Sequence, residues 1–156
     1  MKKHRLAFLV LCITIIYLVP VHAFAMNGQD VGTTIYNEDG SYVVVTISTD
    51  NLLITRASKT RTATVKHDYH NAAGDLDWTA SMTASFSYDG LTSRCTSVGT
   101  PVITIYDNIW SVYSKSSSKN SNTATGNITM AVKQLIGTSK FPVTMTLTCD
   151  KNGNVS

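Results

Sequence analysis

Asp77–Gly90 reads DWTASMTASFSYDG. Trp78, Ala80, Met82, Ala84, Phe86 and Tyr88 share one parity, and Thr79, Ser81, Thr83, Ser85 and Ser87 share the other. Successive side chains of an extended chain point to opposite faces, so an apolar face alternating with a hydroxyl face predicts a half-buried strand. Asp89-Gly90 ends it with the residues a tight hairpin turn needs, because such turns require positive φ angles. A run of this length with Trp, Met and Phe on one side predicts a central strand of an antiparallel sheet.

Phe141, Val143, Met145, Leu147 and Cys149 alternate with Pro142, Thr144, Thr146 and Thr148 in a second clear strand. Thr33–Tyr36 and Tyr42–Ser48 flank Glu38-Asp39-Gly40 as a first hairpin. Thr60–Tyr69 places Ala63, Val65, His67 and Tyr69 on one parity, and Asn71–Asp75 is a loop leading into the central strand. Leu52–Thr55 is a short apolar run without a secure type. Thr92–Ser97 carries Cys95, Val102–Tyr106 and Ile109–Tyr113 flank the turn Asp107-Asn108, and Ala124–Gln134 leads through Gly137-Thr138 to the last strand. Ser114–Asn122 is a polar run, SKSSSKNSN, expected as a solvated hairpin tip or edge strand, or as a recognition loop. No segment carries an apolar stripe at helical spacing. Short strands separated by turn signals predict an all-β domain: a single antiparallel β-sandwich, with a closed β-barrel as the alternative. Parity assigns Trp78, Met82, Phe86, Trp110, Val112, Ile128, Met130, Val132, Val143, Met145 and Leu147 to its core.

The first 25 residues carry a different message. Lys2, Lys3, His4 and Arg5 precede an apolar run from Leu6 to Val19, Pro20 breaks it, and Ala23-Phe24-Ala25 has the small-x-small form of a signal-peptidase site. The run is shorter than the roughly 20 residues a spanning helix needs. The expectation is a signal peptide over residues 1–25, cleavage after Ala25, secretion, and a mature domain over residues 26–156 with no membrane insertion. The 13 Lys and Arg of the chain fall to 10 once Lys2, Lys3 and Arg5 leave, balancing 10 Asp and Glu. A neutral chain without clustered cations gives no footprint for nucleic acid or for an anionic membrane. Cys12 leaves with the signal, and Cys95 and Cys149 remain as an even pair in an oxidising compartment. One disulfide is expected, closing a loop of about 55 residues and contributing roughly 4 kcal/mol through the unfolded state.

Chemistry-bearing residues are few. Cys95, Trp110 and Cys149 follow the order of an immunoglobulin domain, but Leu147 stands where that fold has its corner tyrosine, and the chain ends too soon after Cys149 for a last strand. His67-Asp68-Tyr69-His70, with Asp75 and Asp77 behind, is the one dense titratable cluster; His67, Asp68 and His70 are the weak metal candidates. On a strand His67 and His70 face opposite ways, and two histidines alone do not satisfy zinc. No nucleophile elbow, zincin motif, phosphate loop or cofactor motif is present, so no catalytic residue and no cofactor is assigned. Asp150–Asn154 has the oxygen spacing of a calcium-loop opening without its closing Glu, and reads as a turn. Asn127-Ile128-Thr129 fits the N-glycosylation pattern, relevant only in a eukaryotic secretory pathway.

Ser85-Phe86-Ser87-Tyr88-Asp89-Gly90, Cys95 and Thr146-Leu147-Thr148-Cys149-Asp150-Lys151-Asn152-Gly153 together resemble a family of small secreted proteins of unknown function from Gram-positive, clostridia-like bacteria. The resemblance covers residues 78–156. It implies export and a shared fold, and carries over no catalytic residue.

Two functions follow as expectations. The first is a non-catalytic extracellular binding module, meeting an extracellular protein or glycan through its loops and polar sheet face. The alternative is a small secreted hydrolase or metal-dependent enzyme using His67, His70 and the neighbouring aspartates. The chain is rich in hydroxyls but poor in groups that titrate near neutrality, which favours the module.

Overall fold

A computed structural model describes residues 31–50, 53–54 and 59–156. The expected signal peptide and its cleavage site lie outside the described residues, as do Leu52 and Thr55 of the short apolar run. Those described form strands β1 (Val31–Tyr36), β2 (Tyr42–Thr49), β3 (Leu53–Ile54), β4 (Lys59–His70), β5 (Leu76–Tyr88), β6 (Ser93–Val98), β7 (Val102–Ile105), β8 (Trp110–Asn120), β9 (Thr123–Lys133) and β10 (Thr138–Thr148), with no helix among them.

The larger sheet runs β1-β2-β4-β5-β6, with β3 on β4 and β7 on β5. β6 pairs with one half of β5 and β7 with the other, so they share a lane interrupted at Gly99-Thr100-Pro101. The smaller sheet is β10-β9-β8, and every pairing in both sheets is antiparallel. The hydrogen-bonded order ends at β1 and β6 in one sheet and at β10 and β8 in the other. The closed-barrel alternative therefore gives way to two stacked sheets with open edges.

β5 is the centre. Trp78, Ala80, Met82, Ala84, Phe86 and Tyr88 are all buried, while the alternate residues from Thr79 to Ser87 are not. Its apolar face meets Ile128 and Met130 of β9 and Met145 and Leu147 of β10, all but fully buried. Thr62–Ser85 and Thr64–Thr83 hydroxyl pairs, at 3.1 and 2.8 Å, ladder the outer face of β4 and β5. Gly126 marks a close approach of the two sheets: a Cβ there would stand 2.7 Å from Met82 Sδ and 3.0 Å from Pro101 Cγ. Val132 and Val143 are partly buried at the margin of this core.

β8 corrects one expectation and bears out another. Val112, assigned to the core, is 39 % exposed on this edge strand. Ser114–Asn122 is strand as far as Asn120 and paired throughout to β9, so of the expected readings the edge strand holds. Its register shifts between Val112 and Ser114, leaving Tyr113 as a bulge residue. A bulge adds one residue and reverses the parity that follows. Lys115 and Lys119 consequently stand opposite Ile128 and Ala124, on the core-facing parity. Lys115 Nζ donates to Pro101 O at 3.1 Å, and Lys119 Nζ donates to Thr96 O. The two lysines thus satisfy carbonyls along the β6–β7 lane and place charge along an open edge, which discourages edge-to-edge pairing.

The expected Cys95–Cys149 disulfide is not formed here: both residues are buried free thiols. Their backbone N–H groups donate to the consecutive carbonyls of Ser121 and Asn122, at 2.8 and 3.1 Å, which brings them to one turn. The side chains decide the rest. Cys95 Sγ turns to Ser97 O and Cys149 Sγ to Asp150 O, each at 3.4 Å. Burial pushes the Cys149 thiol up to about 11, with the Asp150 charge adding to it.

Candidate functional site

One end of the sandwich gathers the β1–β2 hairpin, the β4–β5 hairpin, the β7–β8 turn and the β9–β10 hairpin, as the strand pairings require. A single buried carboxylate ties two of them to β8. Asp77 Oδ1 accepts from Asn71 Nδ2 at 3.1 Å in the β4–β5 hairpin, and Asp77 Oδ2 accepts from Trp110 Nε1 at 2.9 Å. The Asp77 backbone carbonyl accepts from the N–H groups of Tyr106 and Asp107, at 2.8 and 3.1 Å. Asn71 is itself committed: its Oδ1 accepts from the N–H groups of Ala73 and Asp75, both at 3.0 Å. This Asx geometry, with Gly74 at φ +93°, is why Asn71–Asp75 turns.

The network continues along the chain. Asp107 Oδ1 accepts from Ile109 N at 3.1 Å, Ile109 O accepts from Lys133 N at 2.8 Å, and Gln134 N closes the β9–β10 turn on Gly137 O at 3.1 Å. Beneath it lies an aromatic cluster. Tyr69 stacks on Trp78 with ring centroids 5.1 Å apart and meets Trp110 and Phe141 edge-on at 5.2 and 5.6 Å. Such offset and edge arrangements contribute roughly 0.5–1.5 kcal/mol per pair beyond area burial. The loop end therefore stands on a rigid base.

Above that base is an open cleft of about 360 Å³, lined by Asn71, Asp75, Leu76, Asp77, Tyr106, Asp107 and Asn108. Most of its lining residues carry amide or carboxylate side chains, and the exposed Tyr106 is among them. Tyr36, Ile109, Leu135 and Ile136 are exposed on the surrounding loops and strand ends. Asp77 is spent on Trp110 and Asn71.

The candidate cluster on β4 divides. His67 sits on the core-facing parity, buried opposite Ala80, and burial holds its imidazole below the ordinary histidine range despite the neighbouring Asp68 charge. His70 stacks on Tyr42, centroids 4.7 Å apart, with Nδ1 3.0 Å from Gly74 O. Asp68 Oδ2 is paired with Lys66 Nζ at 2.8 Å, and its Oδ1 is buried without a partner. Asp75 and Asp77 belong to the cleft. Among the described residues no three His, Cys, Asp or Glu side chains are placed to hold a metal ion.

At the far end, Asp150 is a turn device. Its Oδ1 accepts from the N–H groups of Asn152 and Asn154, both at 2.8 Å. Asn127 is exposed on β9, its Oδ1 accepting from Thr144 Oγ1 at 3.2 Å. Tyr106, Ile109 and the Leu135-Ile136 tip had no individual signal in the sequence, since isolated apolar residues beside turns are ordinary. Asp77–Trp110 spans 33 residues, and no local pattern announces it. No family model, no curated protein and no solved structure matches this chain.

Proposed function

We propose that this protein is an exported, non-catalytic binding module whose contact surface is the loop end built around Asp77. The carrying observation is that cleft: lined mainly by amide and carboxylate residues together with the exposed Tyr106, and held by the hydrogen-bond network from Asn71 to Gly137. Preorganised loops on a rigid scaffold lose little freedom on binding, which is what favours recognition there. Amide and carboxylate acceptors suit a partner rich in hydroxyl or amide donors, an extracellular glycan or protein. The division of His67 from His70 weighs against the hydrolase alternative, because acid–base groups must reach one reacting centre.

Export would place Cys95 and Cys149 in an oxidising compartment. There the two thiols form one S–S bond, two protons and two electrons passing to an extracellular disulfide oxidant. Rotation of the two side chains away from Ser97 O and Asp150 O precedes bonding. Intact-mass measurement of protein recovered from culture medium, lighter by two hydrogens than its reduced form, is the expected result.

The test of the module is binding of fluorescently labelled protein to intact cells. Tyr106→Ser with Ile109→Ser should lower binding about tenfold, the scale of losing one interface anchor, while Leu91→Ser at the opposite end leaves it unchanged. His67→Gln with His70→Gln should also bind normally. A hydrolytic turnover that this double variant cuts by about a hundredfold would replace the module with an enzyme.

A further inference from the structure

The β9–β10 tip carries two of the most open apolar side chains of the described residues, Leu135 at 107 % and Ile136 at 94 % exposure. The turn that presents them is closed by the Gln134–Gly137 hydrogen bond, with Gly137 at φ +84°. It is a built projection. From Lys133 to Lys140 the sequence is KQLIGTSK, with a cation at each end and no carboxylate. Beside its base lie the exposed Tyr113, whose ring has the Lys140 ammonium 3.6 Å from its centroid, and Ile109, whose carbonyl holds Lys133 N.

Two aliphatic side chains on a convex tip do not make a protein interface, which needs roughly 800 Å² on each partner. A fluid lipid surface needs no matching shape and closes around a projection. Aliphatic groups gain by entering the acyl boundary, lysines stay with lipid phosphates, and tyrosine favours the headgroup layer. All three are present at this tip.

We propose that the β9–β10 hairpin is a peripheral anchor for anionic lipid bilayers, with Leu135 and Ile136 entering the interface and Lys133 and Lys140 facing phosphate. This amends two expectations at one point only, no membrane insertion and no footprint for an anionic membrane: the tip enters between Lys133 and Lys140, and no strand spans. The inference shares with the proposed function only the export that brings the chain to a membrane surface; the cleft and its partner are a separate matter.

The experiment is co-sedimentation of the purified protein with vesicles of phosphatidylcholine, with and without phosphatidylglycerol. Wild type and variants carry the same N-terminus, so the segment before residue 31 cancels from their comparison. Wild type should sediment with the anionic vesicles. Leu135→Ser with Ile136→Ser should lower the partition coefficient at least about tenfold, with an unchanged far-ultraviolet spectrum, because neither side chain is packed. Lys133→Gln and Lys140→Gln should each lower it by about fivefold, a loss that high salt abolishes. The proposal fails if wild type ignores anionic vesicles, or if the Leu135/Ile136 variant partitions as wild type does. It also fails if wild type is a dimer that this variant dissolves, since the tip then meets a second copy. Loss of vesicle binding with cell binding intact would leave the module standing.

Discussion

Asp77→Asn is a nearly isosteric change whose cost the hydrogen bonds define. In the wild type, Asp77 offers only acceptors, one to Trp110 Nε1 and one to Asn71 Nδ2. An Asn there keeps one oxygen and puts an NH2 where the other stood. If its oxygen faces Trp110, its NH2 meets the NH2 of Asn71. Flipping Asn71 does not help, because Asn71 Oδ1 already holds Ala73 N and Asp75 N. One hydrogen bond to a charged acceptor, about 1.5–3 kcal/mol, is therefore lost in either orientation. Asp77→Ala leaves both donors unpaired at a buried site, about 1–3 kcal/mol each, so roughly 2–6 kcal/mol. Against a total stability of roughly 5–15 kcal/mol, these are large effects. Urea unfolding followed by tryptophan fluorescence, alone and in a double-mutant cycle with Trp110→Phe, measures both. The cycle should return a coupling of about 1–2 kcal/mol for residues that share a hydrogen bond. A stability loss under about 0.5 kcal/mol for Asp77→Asn, the size of an ordinary surface change, would refute the role given to this carboxylate.

Three further outcomes are expected. Gly153→Ala should destabilise by at least about 2 kcal/mol in thermal unfolding, because φ is +88° and the new Cβ would stand inside the Tyr88 ring; an unchanged midpoint would disprove that packing. His67 is held below its ordinary pKa by burial, so below pH ~6.5 the unfolded chain binds a proton that the folded one refuses. Its stabilising contribution is present above that pH and is lost as pH falls; His67→Gln should flatten urea midpoints between about pH 7 and 5, before the lowered carboxylates Asp89 and Asp150 begin to titrate. Lys115→Ala with Lys119→Ala should leave a folded monomer at low concentration but raise light scattering on concentrating, because the free edge of β8 loses its charges; unchanged scattering would remove that role from the two lysines.

Where alternation is unbroken, local sequence sets both the strand and the way it faces. Alternation from Trp78 to Tyr88 and from Phe141 to Cys149 is local chemistry, and burial at those positions follows it closely. The turn at Asp89-Gly90 is equally local: Gly90 takes φ +90°, and Asp89 Oδ1 receives the N–H groups of Leu91 and Thr92 at 2.9 and 2.7 Å. The parity separating His67 from His70 was legible for the same reason. Tertiary structure decided whatever depends on one extra residue or on distant partners. The bulge at Tyr113 reversed the parity of β8 and put the exposed Lys115 and Lys119 within reach of Pro101 O and Thr96 O, which no alternating pattern in SKSSSKN predicts. Stacking β10-β9-β8 on the larger sheet brought Trp110 to Asp77 and made a buried carboxylate of a residue that reads as the rim of a loop. Periodicity records which side of a strand meets water; it holds no information about which distant strand supplies the other side, and the candidate site is made entirely of such meetings.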